Sequence, residues 1–259
     1  MEQDFLGKVA IVTGSSGIGL GAALRLARGG ARVHLCGIDD EHNKSAKTAS
    51  TGQEVEIHKV DVCNEAQVAA FVLQVAEKEQ GIDILVNAAA IQTYGTIQTT
   101  DPAHWDRVMA VNLRSCYLLS HYVYAHMKKR GGGSIIHISS VQGHANQNNV
   151  LAYATTKGAI HALTRAMAVD CAADNIRVNS VSPGSIRTPL LEFAAGEVAG
   201  PKGDIEEVIA QFGADHPIGR VGTVEETSEL IAFLAGPKSG FCTGGDYLVD
   251  GGLMAHLAV

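Results

Sequence analysis

Lys8-Val-Ala-Ile-Val-Thr13-Gly14-Ser15-Ser16-Gly17-Ile18-Gly19 is the stretch that decides the fold. Its first six residues form a short apolar run of strand length, and the glycine turn follows at once. Residues 20–28 then repeat apolar side chains at helical spacing and stop at Gly29-Gly30. Strand, glycine turn and helix together set backbone N–H groups and a helix N-terminus against a pyrophosphate. The spacing G-x-x-G-x-G is a variant of the dinucleotide fingerprint. Its position between a first strand and a first helix gives it weight.

Working outward, residues 31–37 read as a second strand, followed by Ile38-Asp39-Asp40. An acidic residue about twenty positions past the glycine turn hydrogen-bonds an adenosine ribose in such folds, and Asp39 is the candidate. The alternative is that Asp39 or Asp40 caps the next helix, and the sequence leaves both open. No Arg or Lys occurs at Ser15, Ser16, Ile38 or Asp39, where a 2′-phosphate needs a positive partner, so NAD is favoured over NADP. Further strands are expected at 55–62, 82–90, 134–140, 175–181 and 246–252, with helices at 66–79 and 103–130 and after Tyr153. Residues 185–203 are rich in Gly, Ala and Pro and resemble a mobile lid. A substrate-covering loop is expected over about 187–216, with helical stretches near 205–212 and 224–234. This alternation predicts an α/β protein: one domain over 1–259, a Rossmann fold of about seven parallel strands with helices on both faces. Gly14, Asp39, Asp61, Asn87, Ser140 and Pro183 all fall at predicted strand ends, where such sheets bind ligands.

Composition narrows the function classes. With 259 residues, 46% hydrophobic and 18% charged, the chain can bury a full core. The formal charge of −7 argues against nucleic acid or anionic membrane as a partner. No apolar run approaches the roughly 18 residues of a membrane span. The N-terminus, Met1-Glu-Gln-Asp-Phe5, lacks the pattern of a signal peptide. Cysteines 36, 63, 116, 171 and 242 are scattered and read as reduced residues of a cytoplasmic protein. The eleven histidines form no H-E-x-x-H or comparable pattern, so no catalytic metal is expected.

The chemistry is expected between Ser140 and Lys157. Tyr153 and Lys157 are four apart on a predicted helix and so share a face. A phenol titrates near ~10 without neighbours. An ammonium about 4 Å away supplies on the order of 4 kcal/mol at an effective dielectric of ~20. That lowers a phenol by roughly three units, into the range general acid–base catalysis uses. Ser140 would hold the substrate oxygen while the proton moves. Asn112 sits inside a helical run that Asn disfavours, so it either has a polar task or faces solvent.

Thr13-Gly-Ser-Ser-Gly-Ile-Gly19, Asn87-Ala-Ala-Ala90, Asn112, Ser140, Tyr153-x-x-x-Lys157 and Ser182-Pro-Gly184 together resemble the short-chain dehydrogenase/reductase family, over essentially the whole chain. The resemblance implies that Tyr153 is the acid/base, that Lys157 lowers its pKa and grips the nicotinamide ribose, and that Ser140 orients the carbonyl. Asn112 would support a water-linked proton path through Lys157. Gly14, Ser16, Gly17, Ile18 and Gly19 would cradle the cofactor, with Asp61 and Val62 at the adenine and Asn87, Ala88 and Ala89 along its channel. Ile186 and Thr188 would hold the carboxamide, with Pro183 and Gly184 beneath it. Ser139 is expected to be structural. Three positions depart from the family pattern: Gly37 stands where NAD-type members carry an acid, Ile38 where NADP-type members carry Arg, and Ala89 where a glycine is common.

Gln142, His144, Asn146, Gln147, Asn148 and Asn149 lie between the catalytic hydroxyls. If they line the pocket, such amides need hydroxyls or a carboxylate as partners. That favours a polyol, sugar or sugar acid oxidised at a secondary alcohol, with Gln142 and Asn149 as the leading contacts; the alternative is a solvated loop. A 3-oxoacyl-thioester or general ketone reductase is the second reading, and an NAD-sensing regulator the third. The regulator would have been free to lose Tyr153 or Lys157. The helical runs 105–129 and 153–171 and the apolar end 253–259 suggest a homo-oligomer, a dimer or tetramer.

Overall fold

The computed structural model describes residues 3–257. Seven parallel strands form one sheet in the order β3-β2-β1-β4-β5-β6-β7. The strands are β1 (Val9–Thr13), β2 (Arg32–Gly37), β3 (Val55–Lys59), β4 (Ile84–Asn87), β5 (Gly133–Ile138), β6 (Ile176–Pro183) and β7 (Asp246–Val249). Central strands of such a sheet are covered on both faces, which is why β1 and β4 read as unbroken apolar runs: every residue of both is buried. One face packs Val9, Ile11 and Leu85 against Leu119, Val123 and Met127; the other packs Ala10, Val12 and Val86 against Ala22, Leu26 and Ile231.

Helices α1 (Gly17–Arg28), α2 (Asp40–Ala49), α3 (Glu65–Glu79), α4 (Pro102–Met109), α5 (Ser115–Lys129), α6 (Leu151–Cys171), α7 (Pro189–Ala199), α8 (Ile205–Ala214) and α9 (Val224–Ala235) carry the crossovers and the cover of the sheet. Strand order reverses between β1 and β4, so their C-terminal ends open a crevice there. Two sequence expectations change. The run 103–130 is not one helix: α4 and α5 are joined by a π-helical turn at Ala110–Arg114 that contains Asn112. The lid over 187–216 is mostly helix. Thr188 caps α7 by accepting from the Leu191 N–H at 3.2 Å, and Pro189 starts it. The weak periodicity of α7 follows from its small and apolar residues, which leave no polar face to read.

Among the described residues no helix is long and apolar enough to cross a membrane. All five cysteines are free thiols. Of the apolar end 253–259, residues 258 and 259 lie outside the described residues, as do Met1 and Glu2 of the N-terminus.

Candidate active site

The crevice begins at the glycine turn. Gly14 adopts φ +91°, a conformation L side chains rarely take, and a Cβ there would lie 3.3 Å from the Ala88 carbonyl. Gly19 has an ordinary backbone, but a Cβ would fall 2.1 Å from the Gly14 oxygen and 2.7 Å from that of Thr13. Only a bare α-carbon lets α1 press so closely on the turn. Thr13 fixes the opposite wall, its hydroxyl accepting from the Ala88 and Ala89 N–H groups at 3.0 Å each.

Unlike α2, α3 and α9, α1 has no side chain capping its N-terminus and no acidic residue in its first turn. Its leading N–H groups therefore face the crevice free for an anion. An uncapped helix start, a glycine cradle and small side chains at Ala88 and Ala89 fit a dinucleotide pyrophosphate.

Ser140 and Tyr153 meet further along, in a cleft of about 570 Å³. Ser140 lies two residues beyond β5 in an extended conformation, and its hydroxyl accepts from the Gln142 N–H at 3.1 Å. The turn carrying it is tight against α6, since a Cβ on Gly143 would lie 2.9 Å from the Lys157 backbone. Ser139 is structural, its hydroxyl donating to the Lys157 carbonyl at 2.9 Å. Tyr153 is buried, and burial pushes its phenol up to about 12; a hydrogen bond with the Ser140 hydroxyl works in the other direction. Lys157 is 2% exposed. Its ammonium donates to the Ile138 carbonyl at 2.8 Å and lies 5.2 Å from the centre of the Tyr153 ring. Burial lowers it to about 8.

This corrects the expectation of a phenol lowered by roughly three units. The amine does share a face with the tyrosine, but it points at a strand carbonyl and stands over the ring. Loss of water around the phenol then outweighs the charge.

Gly14, Ser16, Gly17, Ile18, Ala88, Ala89, Ser140, Gln142, Tyr153, Lys157, Pro183, Gly184, Ile186 and Thr188 all line the cleft. The remaining expected site residues lie elsewhere. Gly19 sits behind the turn. Asp39 caps α2, accepting from the His42 N–H at 2.8 Å. Asp61 accepts from the Cys63 N–H at 2.9 Å, and Val62 packs in the core. Asn87 is buried beside His137, with Nδ2 3.1 Å from the ring Nδ1 and no partner for its Oδ1 among the described residues. Asn112 has a polar task rather than a solvent-facing position. It accepts from the Ile91 N–H and donates to the Ile91 carbonyl, both at 2.9 Å, and reaches the Thr156 hydroxyl at 3.2 Å. Asn149 adopts φ +64° and lines a smaller neighbouring cavity with Tyr94 and Gln147.

Sequence reasoning missed Gln92, Leu190, Leu191, Phe212, His216 and Met254, which complete the cleft. His216 links α8 to the end of β6: its Nδ1–H donates to the Phe212 carbonyl at 2.7 Å and its Nε2 accepts from the Ser185 N–H at 3.1 Å. A motif scan has no purchase on such residues, because each comes from a different segment.

Comparison with known proteins agrees with this geometry. The sequence profile of the family described as enoyl-(acyl carrier protein) reductase matches residues 12–254. The chain is 37% identical over 250 residues to 2-(S)-hydroxypropyl-CoM dehydrogenase 3 of Xanthobacter autotrophicus, spanning 95% of this chain and 96% of that one. It is 33% identical over 252 residues to cyclopentanol dehydrogenase of a Comamonas species, spanning 96% and 98%. The ligand-free structure of Thermoplasma acidophilum aldohexose dehydrogenase superposes with a TM-score of 0.92 at 35% identity, covering 100% of this chain and 98% of that one. On the family match, the shared identity over nearly the whole chain and the superposed fold, the chain belongs to the short-chain dehydrogenase/reductase family, oxidoreductases that act on CH–OH groups with a nicotinamide cofactor.

Proposed function

We propose that this chain is an NAD-dependent dehydrogenase oxidising a secondary alcohol of a small polar substrate, a polyol, sugar or sugar acid. The observation that carries the reading is the Tyr153 phenol beside the Ser140 hydroxyl in the cleft that the glycine turn opens. In oxidation Ser140 holds the substrate oxygen and Tyr153 takes its proton. The buried Lys157 ammonium stabilises the phenolate through the ring face. Asn112 acts at one remove, holding the Ile91 peptide and hence the wall beyond Ala89. When bound, the nicotinamide supplies the hydride acceptor; the α1 N-terminus, Gly14 to Ile18, and Pro183 to Thr188 would hold the dinucleotide.

Two acids at the end of β2 support NAD. The neighbouring cation, Lys59, is already paired with Asp40 at 2.7 Å, leaving Asp39 to repel a 2′-phosphate. Gln92, Gln142, Asn146 and Gln147 on the cleft wall support a hydroxylated substrate. The raised phenol favours a second reading, carbonyl reduction, since it keeps Tyr153 in its acid form at neutral pH. The test is cofactor turnover with NAD and NADP against polyols, sugar acids, cyclic alcohols and the matching ketones. Preference for NADP, or for long apolar alcohols over polyols and sugar acids, overturns the proposal.

A further inference from the structure

Away from the cleft, two imidazoles and a carboxylate converge where the edge strand β3 lies on β2. The parallel register puts His34 opposite Glu56 and Cys36 opposite His58, so all three donors project from one face. His34 is 2% exposed, and its Nδ1 stands 3.0 Å from His58 Nε2. Glu56 reaches both rings, with Oε2 3.8 Å from His34 Nδ1 and Oε1 3.8 Å from His58 Nε2. A tetrahedral ion with bonds of ~2.0–2.1 Å holds its ligand atoms about 3.3 Å apart, and the observed separations bracket that value.

The surroundings prepare the donors. His34 Nε2 lies 3.1 Å from Glu79 Oε1, and Glu79 is held in turn by Arg32 at 2.6 Å. A carboxylate accepting from Nε2–H leaves the lone pair on Nδ1, aimed at His58 and Glu56; this is how carboxylates orient metal-binding histidines. Burial lowers the pKa of both His34 and His58. Lys78 donates to Glu56 Oε2, which lowers the pKa of that carboxyl and leaves Oε1 on the side of His58.

We propose that His34, Glu56 and His58 form a non-catalytic site for a divalent cation of the zinc type, clasping the edge strand to the sheet. Two nitrogens and one carboxylate suit Zn²⁺, whereas Ca²⁺ and Mg²⁺ take oxygen donors. Glu56, whose side chain is 43% exposed, forms the solvent side of the group. A second group, His144, His161 and Asp246, is a poorer cage. One Asp246 oxygen already accepts from the Ser180 and Ser182 hydroxyls, and the other is only 2.7 Å from His144 Nε2.

The test strips the full-length chain with a chelator and titrates it with Zn²⁺ by calorimetry and with Co²⁺ by visible absorption, following thermal unfolding alongside. One ion per chain, tetrahedral Co²⁺ bands and a higher unfolding midpoint with Zn²⁺ are expected. Glu79→Gln should weaken binding roughly 10–100-fold, and His58→Ala more. The exposed Glu56→Gln gives the same readout if His58→Ala fails to fold, and His144→Ala should leave binding unchanged. Absence of binding, its survival in both His58→Ala and Glu56→Gln, or its loss in His144→Ala overturns the proposal.

Discussion

Replacing Lys157 with Met should abolish turnover without the stability loss that removing a buried, hydrogen-bonded side chain usually brings. In the folded chain the ammonium is held at about 8 against an ordinary 10.5. At ~1.36 kcal/mol per unit, keeping it charged costs the fold about 3 kcal/mol. Met removes that cost but leaves the Ile138 carbonyl without its donor, worth about 1–3 kcal/mol. The variant is therefore expected to match the parent at neutral pH or exceed it by up to about 2 kcal/mol. The pH dependence is the sharper signature. Because the folded pKa lies below the unfolded one, the whole penalty is present below pH 8. It is relieved as pH rises toward 10.5, since the folded state releases its proton first. Between pH ~7 and ~9.5 the parent should gain about 2 kcal/mol relative to Lys157→Met. Urea unfolding of both proteins at matched concentration, at each pH, measures this. A variant more than ~2 kcal/mol less stable at pH ~7, with a parallel pH profile, refutes a buried, strained cation.

Burial of the Tyr153 phenol gives a second pH effect. With its pKa raised to about 12, the base form grows as pH rises, so alcohol oxidation should quicken up to about pH 8, where Lys157 begins to lose the charge that stabilises the phenolate, while ketone reduction does not. An oxidation rate that is flat between about pH 6 and 8 contradicts it. Two glycines should respond oppositely to alanine. Gly19→Ala drives a Cβ against the Gly14 oxygen, so it should destabilise by about 1–2 kcal/mol and weaken dinucleotide binding at least ~10-fold. Gly158→Ala, in mid-helix with its Cβ 3.6 Å from the Gly143 oxygen, should stabilise by up to ~1 kcal/mol. Thermal unfolding and cofactor titration read both, and a stable, tightly binding Gly19→Ala removes the close-packing argument.

The fold was readable because β1, β2, β4 and β5 are buried on both faces and leave apolar runs bounded by glycine or polar turns. The cradle was readable too, since its glycines answer local steric demands. What escaped depends on distance along the chain. The partner of Asn112 is the Ile91 peptide, and the π-helical turn around it carries no pattern of its own. The direction of the Tyr153 shift follows from burial, which the helical spacing of Tyr153 and Lys157 does not reveal. Asp39 was left between ribose and helix cap; the structure has it capping α2. His34, Glu56 and His58 are brought together by strand register, a relation absent from either segment alone.

The most direct test of proton transfer by Tyr153 is the rate of cofactor reduction by Tyr153→Phe at saturating alcohol, with cofactor affinity measured on the same sample. Phe fills the same buried space and removes only the hydroxyl. The rate should fall at least ~10²–10⁴-fold while cofactor affinity stays within about twofold. A variant that turns over like the parent would contradict the account.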